Sequence, residues 1–355
     1  MMIARYAIEQ WSIQCKILKN DLCIRFPKMS FLSSGFPTRR KWLQGMVGAS
    51  ALGRVKPVWG QKGTEDVDVS DKEQSAVDSV LQRFNQARLQ PPKITRNRRF
   101  VAIGTARSEY VRQVLRIAEE TAVAYQRYIG GLRLTVKFGT ERLPLIVVAN
   151  SGQYSQLLGE KKAKNEGGHY DLDENWVATF DHKGRQRSTR SDLERANLVT
   201  LMHEIAHQIS FNTGLLNIRG DVPMVLSEGL ATLAEPGGSS LIPGFGEVNA
   251  PRLGVMAQIM KRNRKAWIPL SDLIADDNAF DSPDENTVQM AYSQSWLFWD
   301  TLITQAKTRE KLNSYFQRID RRLKPDQRIN DFTAVMGPLD IVEKEMYKRQ
   351  GEQLR

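Results

Sequence analysis

The sequence predicts an α+β fold in which a small mixed sheet precedes a mainly α-helical part. Four short apolar runs typical of strands lie before residue 185, whereas helical periodicity is almost continuous from about residue 192 onward. The 355 residues are enough for a sizeable core, and a composition of 41% hydrophobic and 26% charged residues is ordinary for a globular chain.

The basic charge of the chain is concentrated at its N-terminus. Residues 1–60 contain ten lysines and arginines against two acidic residues, so they contribute +8 of the net charge of +11. The remaining +3 is too small to produce the strong phosphate-attracting field of a nucleic-acid-binding protein. We therefore expect no nucleic-acid partner.

The N-terminal stretch FPTRRKWLQGMVGASALGRVKPVWGQ (36–61) resembles a bacterial twin-arginine export signal. Arg39 and Arg40 precede a mildly apolar run that is too short to span a bilayer as a stable helix. Gly60 is a suitable cleavage point before a polar stretch. The pattern therefore predicts an exported protein, periplasmic or extracellular, and the alternative is a basic, disordered tail.

Met29 is the expected initiator, because twin-arginine signals lie near the start of a chain and this arginine pair lies deep. Residues 1–28 would then be a mis-annotated upstream extension and residues 29–60 the signal peptide. Both cysteines, Cys15 and Cys23, precede this start. The mature chain would contain no disulfide, cysteine-bound metal or thiol nucleophile, and we expect no stable membrane span in it.

Periodicity and turn residues predict the elements of the mature chain in order. A polar linker over 61–75 is followed by a short helix over 76–89, which ends before a pair of prolines. A long amphipathic helix is expected from Ser108 to about Tyr128. Strands are expected at 100–105, 132–138, 143–149 and 174–182. These elements predict a linker with a short helix (61–92), an α/β subdomain (93–189) and a helical subdomain (190–350).

Two histidines four residues apart mark the helix that is predicted between Asp192 and Thr213. On a helix, His203 and His207 lie about 40° apart around the axis and about 6 Å apart along it. Two imidazoles in this arrangement can bind one metal ion. Glu204 flanks them, where a general base could reach a water molecule activated by the metal. This H-E-x-x-H pattern indicates a metal site at the junction of the two parts, and the alternative is two histidines satisfied by hydrogen bonds.

A catalytic zinc ion needs a third protein ligand and an open coordination position. His169 and His182 are candidates upstream. Downstream, the run DVPMVLSEGLATLAE predicts an apolar helix with Asp221 as its N-cap. Glu228 is the acidic residue in the middle of this run, and a buried carboxylate needs a cation as partner. Gly229 beside it would allow another helix to approach closely.

The sequence HEIAH followed by LSEGLA resembles the gluzincin clan of zinc metallopeptidases, in which a second helix supplies a glutamate ligand. The fuller pattern, HEIAHQISFNTG with EGLATLAE, resembles a bacterial family of unknown function in that clan; about 40 residues match closely. The resemblance implies a zincin-like fold, Zn²⁺ bound by His203, His207 and Glu228, and Glu204 as base and proton shuttle. Better-known members have a polar or aromatic residue one turn after the glutamate, where this chain has Thr232.

A peptidase also needs a donor to the oxyanion that develops on the substrate. Tyr292 is the predicted donor, and Tyr170 and His169 are the alternatives. Tyr292 has a structural interpretation too, as an aromatic residue packed beside Trp296 and Trp299.

The residues and the resemblance together predict a zinc-dependent hydrolase, most simply a metallopeptidase acting on a peptide or protein substrate. One alternative is a non-catalytic extracytoplasmic binding protein that retains the fold. Another is a zinc hydrolase of a non-peptide bond. Glu235 shares a helix face with Glu228, so it either supports the site or replaces Glu228 as ligand, and we prefer Glu228.

Overall fold

The computed structural model describes residues 69–158, 167–182, 190–238 and 240–354, with the backbone alone for residues 190–193. The start at Met29, the twin-arginine pair, the cleavage point and both cysteines lie outside these residues. The described chain has a mixed α+β fold with a small mixed sheet and a mostly helical C-terminal part. The predicted α+β fold class is therefore confirmed.

The first part of the described chain contains five strands and three helices. In chain order these are α1 Asp71–Gln86, β1 Lys93–Arg96, β2 Phe100–Gly104, α2 Ser108–Gly131, β3 Leu143–Val148, α3 Ser151–Leu158, β4 Gly168–Asp171 and β5 Trp176–Phe180. The sheet has the order β1-β2-β3-β5-β4. Its three central strands are parallel, and both edge strands pair antiparallel with their neighbours. The central strands are buried throughout, which explains their continuous apolar runs.

The strands predicted at 100–105, 143–149 and 174–182 are confirmed as β2, β3 and β5. The two edge strands were not predicted. All four residues of β1 are exposed, and β4 alternates between buried and half-buried residues over only four positions. Neither segment has the apolar run that identified the central strands.

The prediction of a strand at 132–138 is wrong. This segment has no partner strand, and its backbone N–H groups bond to helix ends: Leu134 donates to Ile129 O, and Lys137 donates to Thr213 O at 3.0 Å. Its alternate apolar side chains still pack on the core. The alternating apolar residues therefore indicated an extended segment with one buried side, but this segment does not pair with another strand.

Helix α1 begins at Asp71 instead of Ala76, inside the stretch predicted as linker. Ser70 is the N-cap, and its hydroxyl oxygen accepts a hydrogen bond from the backbone N–H of Glu73 at 3.2 Å. Acidic residues in the first turn also favour this end of a helix. The same residues that looked like a polar linker are therefore the start of a helix.

The rest of the described chain is helical, and no strand occurs within 190–238 or 240–354. Its helices are α4 Arg190–Asn212, α5 Met224–Thr232, α6 Ala250–Arg262, α7 Leu270–Ala275, α8 Glu285–Thr304, α9 Ala306–Asp320, α10 Arg328–Met336 and α11 Leu339–Gln353, with 3₁₀ turns at Asn278–Asp281 and Pro325–Gln327. One core cluster extends from the sheet to α11, and a second lies between α1 and the sheet's other face. None of the described helices is both long and apolar enough to span a membrane.

Candidate metal centre

Helix α4 lies between the sheet and the C-terminal helices, where it contacts β4, β5, α2 and α5. Every residue from 196 to 210 is buried, as expected for a helix with apolar residues around most of its circumference. His203, Glu204 and His207 are therefore buried polar side chains, and such groups need partners.

Glu228 of α5 provides the meeting point for the two histidines. Its Oε2 atom lies 3.1 Å from Nε2 of His203 and 3.2 Å from Nε2 of His207, and the two Nε2 atoms are 3.1 Å apart. The exposed fraction is 3% for each histidine and 0% for Glu228. Three atoms of the kind that bind metals thus face one another in a buried place, and the group could hold a metal ion.

The carboxylates around His203 favour a positive charge at the centre of the group. Without a metal, burial lowers the pKa of His203, but Glu228 and Glu235 outweigh burial and raise the pKa to about 10. Burial raises the pKa of Glu228, but the two histidines outweigh it and lower the pKa to about 2. A proton on His203 is thus one source of the charge, and a metal ion is the other. A metal ion placed among the three facing atoms would contact all of them at once.

A second observation supports the fit. Oε1 of Glu228 is buried and has no hydrogen-bond partner among the described residues. Such an orphaned oxygen is costly in a protein interior, and a cation beside the carboxylate reduces this cost.

Glu235 contacts Nδ1 of His203, on the side of the ring away from Glu228. Glu228, and not Glu235, is therefore the carboxylate that lies next to both Nε2 atoms. The Oε1 atom of Glu235 lies 3.0 Å from Nδ1 of His203. Arg252 donates two hydrogen bonds to the same carboxylate, at 2.8 and 2.5 Å, and Asn249 donates a third at 3.0 Å. Burial raises the pKa of Glu235, but Arg252 and His203 outweigh burial and hold the pKa well below its usual value. The carboxylate is thus an anionic acceptor that orients the imidazole.

Asn249 and Arg252 were not identified from the sequence. Both are buried, at 1% and 2% exposure, and both lie at the start of α6. Asn249 is a helix N-cap, a common role for asparagine that gives no sign of a site. Only the fold brings these residues to Glu235.

His203, His207 and Glu228 form the facing group, and Glu204 lies beside it without being part of it. The Oε2 atom of Glu204 accepts a hydrogen bond from the backbone N–H of Tyr170 in β4 at 2.8 Å. Burial raises the pKa of Glu204, and the neighbouring histidines partly oppose that shift. Glu204 thus flanks the three facing side chains, and its role as general base stays a prediction.

Helix α5 packs very closely on α8. A side-chain carbon at Gly229 would overlap Trp299 and would lie 2.6 Å from Ser295 O. Trp299 also donates a hydrogen bond from Nε1 to Leu226 O at 2.9 Å. The prediction that Gly229 allows a close approach of two helices is therefore confirmed.

The predicted N-cap of α5 is wrong. The helix begins at Met224, and Pro223, which occupies the N-cap position, has no side-chain acceptor. The backbone N–H of Met224 donates instead to Oδ1 of Asp277 at 2.9 Å. Asp221 lies two residues before the N-cap position, and its carboxylate binds two buried arginines.

Tyr292 lies beside the facing group. Its ring centre is 6.2 Å from that of His203, and the guanidinium carbon of Arg252 lies 5.3 Å from its ring centre. The ring also packs edge-to-face on Phe280. Burial, and then the carboxylates of the site, raise the pKa of Tyr292 well above its usual value. The tyrosine is thus a neutral neighbour of the site, and its role as oxyanion donor stays a prediction.

The alternative candidates lie in or just after β4 and β5, and the ring of Tyr170 is also close to the facing group, stacked 6.4 Å from that of His207. The hydroxyl of Tyr170 donates to Oδ1 of Asn175 at 3.0 Å. His169 packs edge-to-face on Trp176, and His182 packs on Phe180. Neither histidine belongs to the ligand group found in the described part of the chain.

One comparison with known proteins matches the segment that contains this site. Residues 197–325 match a family described as Protein of unknown function (DUF1570). The matched segment contains both histidines, Glu204 and Glu228. No curated protein matches the chain. The match confirms the predicted similarity to a family of unknown function, and it does not test the predicted gluzincin relationship.

Proposed function

We propose that the chain is a zinc-dependent hydrolase, most simply a peptidase, in which His203, His207 and Glu228 hold the ion. The observation that carries this proposal is the separation of roles at the site. The side chains of His203, His207 and Glu228 converge on one point, and the carboxylate of Glu204 lies next to them but is not part of this group. A purely structural zinc site usually closes all four positions with protein ligands and needs no extra carboxylate.

A zinc ion held there would supply Lewis acidity, which polarises a scissile carbonyl and makes a water molecule acidic near neutral pH. Glu204 would take the proton from that water and pass it to the leaving amine. The Tyr170 N–H holds Oε2 of Glu204, which leaves Oε1 for the proton. Burial raises the pKa of Glu204, and this favours a carboxylate that can both accept and return a proton.

The sheet supports a peptide over other substrates. Strand β4 lies at the edge of the described sheet and next to Glu204. Extended peptides bind to such edges through backbone hydrogen bonds. Tyr292, on the α8 side of His203, is the proposed donor to the oxyanion.

We further infer a gluzincin-type, zincin-like fold. The support is the order of elements: a mixed sheet, a helix with two histidines, and a second helix with a glutamate. Export to the periplasm or the exterior remains a proposal from the arginine pair at 39 and 40.

A non-catalytic, metal-retaining binding protein is the second candidate. The observation that favours it is burial, because both histidines and Glu204 are only 3% exposed and Glu228 is fully buried. A hydrolase of a non-peptide bond would use the same groups on another substrate.

The test compares the wild type with Glu204→Gln and with a control on the same helix, Glu194→Gln. All three proteins should bind one zinc ion per chain by elemental analysis. Glu204→Gln should lose about 10²–10⁴-fold of a chelator-sensitive activity on a peptide library, and the control should keep it. Full turnover by Glu204→Gln would remove Glu204 from the mechanism. Zinc without any cleavage would favour the binding protein, and cleavage of only non-peptide substrates would favour the other hydrolase.

A further inference from the structure

The segment before α5 is clamped to the C-terminal helices by an ion cluster whose two arginines are buried and whose Asp277 is 36% exposed. Its members, which we call the Asp221 cluster, are Asp221, Asp277, Arg322 and Arg328. Arg322 Nε donates to Oδ2 of Asp221 at 2.8 Å. Arg328 donates to both oxygens of Asp221, at 2.5 and 2.9 Å. One carboxylate therefore binds two guanidinium groups.

Two hydrogen bonds to backbone carbonyl oxygens reinforce the clamp. The N–H of Asp221 donates to the carbonyl oxygen of Arg322 at 2.8 Å. In return, Nη2 of Arg322 donates to the carbonyl oxygen of Asp221 at 2.9 Å. The main chain before α5 is thus tied directly to the end of α9.

Asp277 connects the cluster to the first turn of α5. Arg328 donates to its two oxygens at 2.9 and 3.1 Å. Oδ1 of Asp277 also accepts the bond from the backbone N–H of Met224. The cap that α5 lacks locally is therefore supplied by a carboxylate that Arg328 orients.

Stability alone is a weak explanation for such a cluster. The side chains of Arg322 and Arg328 are 4% and 5% exposed, and that of Asp221 is 11% exposed. Moving charges out of water costs free energy that their attraction barely offsets, although a buried cluster can specify one arrangement. Helix α5 has only nine residues, so it has little stability of its own and depends on its ends.

We propose that Asp221, Arg322 and Arg328 are positioning residues for Glu228. The cluster holds the start of α5, and Gly229 against Trp299 holds its middle. Together they place the carboxylate of Glu228 about 3 Å from both histidines. The inference rests on the proposed function in one respect, namely that Glu228 is a metal ligand.

The test uses Asp221→Asn and Arg328→Met, with Arg328→Lys as the conservative variant. The matched control is Glu73→Gln, because Glu73 is also a buried carboxylate between two arginines, Arg96 and Arg142. Two quantities are measured: the affinity and absorption spectrum of bound Co²⁺, and the hydrogen-exchange rate of the amides in 224–232 relative to α4.

We expect Asp221→Asn and Arg328→Met to weaken Co²⁺ binding about tenfold or more and to alter its spectrum. Exchange in 224–232 should accelerate by about tenfold or more. Arg328→Lys should fall between Arg328→Met and the wild type. Glu73→Gln should lower thermal stability while leaving Co²⁺ affinity and exchange in 224–232 near their wild-type values. Should Asp221→Asn fail to fold, Arg328→Lys carries the comparison.

Unchanged Co²⁺ affinity and unchanged exchange in variants of the cluster would overturn the proposal, whatever happens to thermal stability. If the wild type itself binds neither Co²⁺ nor Zn²⁺, the proposed function fails. The exchange rates then still decide whether the cluster positions α5, because they do not depend on a metal.

Discussion

Glu235 lies directly behind His203, with its Oε1 atom 3.0 Å from Nδ1 of the imidazole. The remaining contacts of this carboxylate come from Arg252 and Asn249. A carboxylate in this position orients an imidazole and makes its other nitrogen a better metal ligand.

Replacing Glu235 by Gln should weaken zinc binding by about 10–100-fold, because a neutral amide is a poorer acceptor for the imidazole N–H. Affinity is measured by competition with a chromophoric chelator, after circular dichroism has shown that the variant is folded. The control is Glu247→Gln, an exposed glutamate that follows in the same loop. Equal zinc affinity in wild type and Glu235→Gln would contradict the role of Glu235.

Zinc should stabilise the wild type against unfolding. At a free zinc concentration of one hundred times Kd, the gain is about 2.7 kcal/mol, provided that the unfolded chain does not bind the ion. His207→Ala and Glu228→Gln should lose this gain, because each removes one of the three facing atoms. His182→Ala should keep it, since His182 lies outside the ligand group. Chemical denaturation with and without zinc measures the difference, and a gain that survives His207→Ala would argue for a different site.

Two glycine-to-alanine changes should have opposite effects on stability. Gly229→Ala would force a carbon into Trp299 and the backbone of α8, so it should lower the free energy of unfolding by about 1–3 kcal/mol or more. Gly254 lies in α6 with nothing within 4 Å of an added carbon. Gly254→Ala should stabilise by about 0.5–1 kcal/mol, because alanine is the better helix former. Urea denaturation tests both, and a neutral Gly229→Ala would refute the tight contact.

Tyr292→Phe removes one hydroxyl and keeps the ring in its place against Phe280. If the hydroxyl stabilises the oxyanion, kcat on a cleaved peptide should fall by about 10²–10³-fold while zinc affinity stays constant. Phe280→Leu, which alters the packing but not the hydroxyl, is the control. Normal kcat in Tyr292→Phe would leave the tyrosine as a packed aromatic residue.

The contribution of Glu73 to stability should depend on pH. Burial raises the pKa of this carboxyl, but hydrogen bonds from Arg96 and Arg142 outweigh burial and bring the pKa below its ordinary value of 4.5. A group whose pKa is lower in the folded state adds stability above the unfolded pKa and loses it as the pH falls through the folded pKa. Glu73→Gln should therefore cost roughly 1–3 kcal/mol at pH 7 and progressively less below about pH 4.5. Urea denaturation of both proteins from pH 7 to 3 measures this, and a constant difference would contradict it.

Local periodicity was sufficient to predict much of the fold and the centre of the site. The 3.6-residue repeat places His203, Glu204 and His207 on one helix, and continuous apolar runs identified the three central strands. Glu228 was identified as an isolated acid in an apolar helix, and Gly229 as a site of close packing. All of these signals are contained within a few consecutive residues.

The partners of these groups depend on the tertiary structure. Tyr170 of β4 and Glu235 of the loop after α5 contact the histidine helix, and Arg252 of α6 binds Glu235. Asp221 resembled a local helix cap, but its carboxylate is bound by arginines about a hundred residues away. Hydrogen bonds and ion pairs form between whichever groups the fold brings together, and a single sequence carries no periodic signal for such contacts. The helix positions of His203, His207 and Glu228 are thus a local property, whereas the residues that orient them are brought together only by packing.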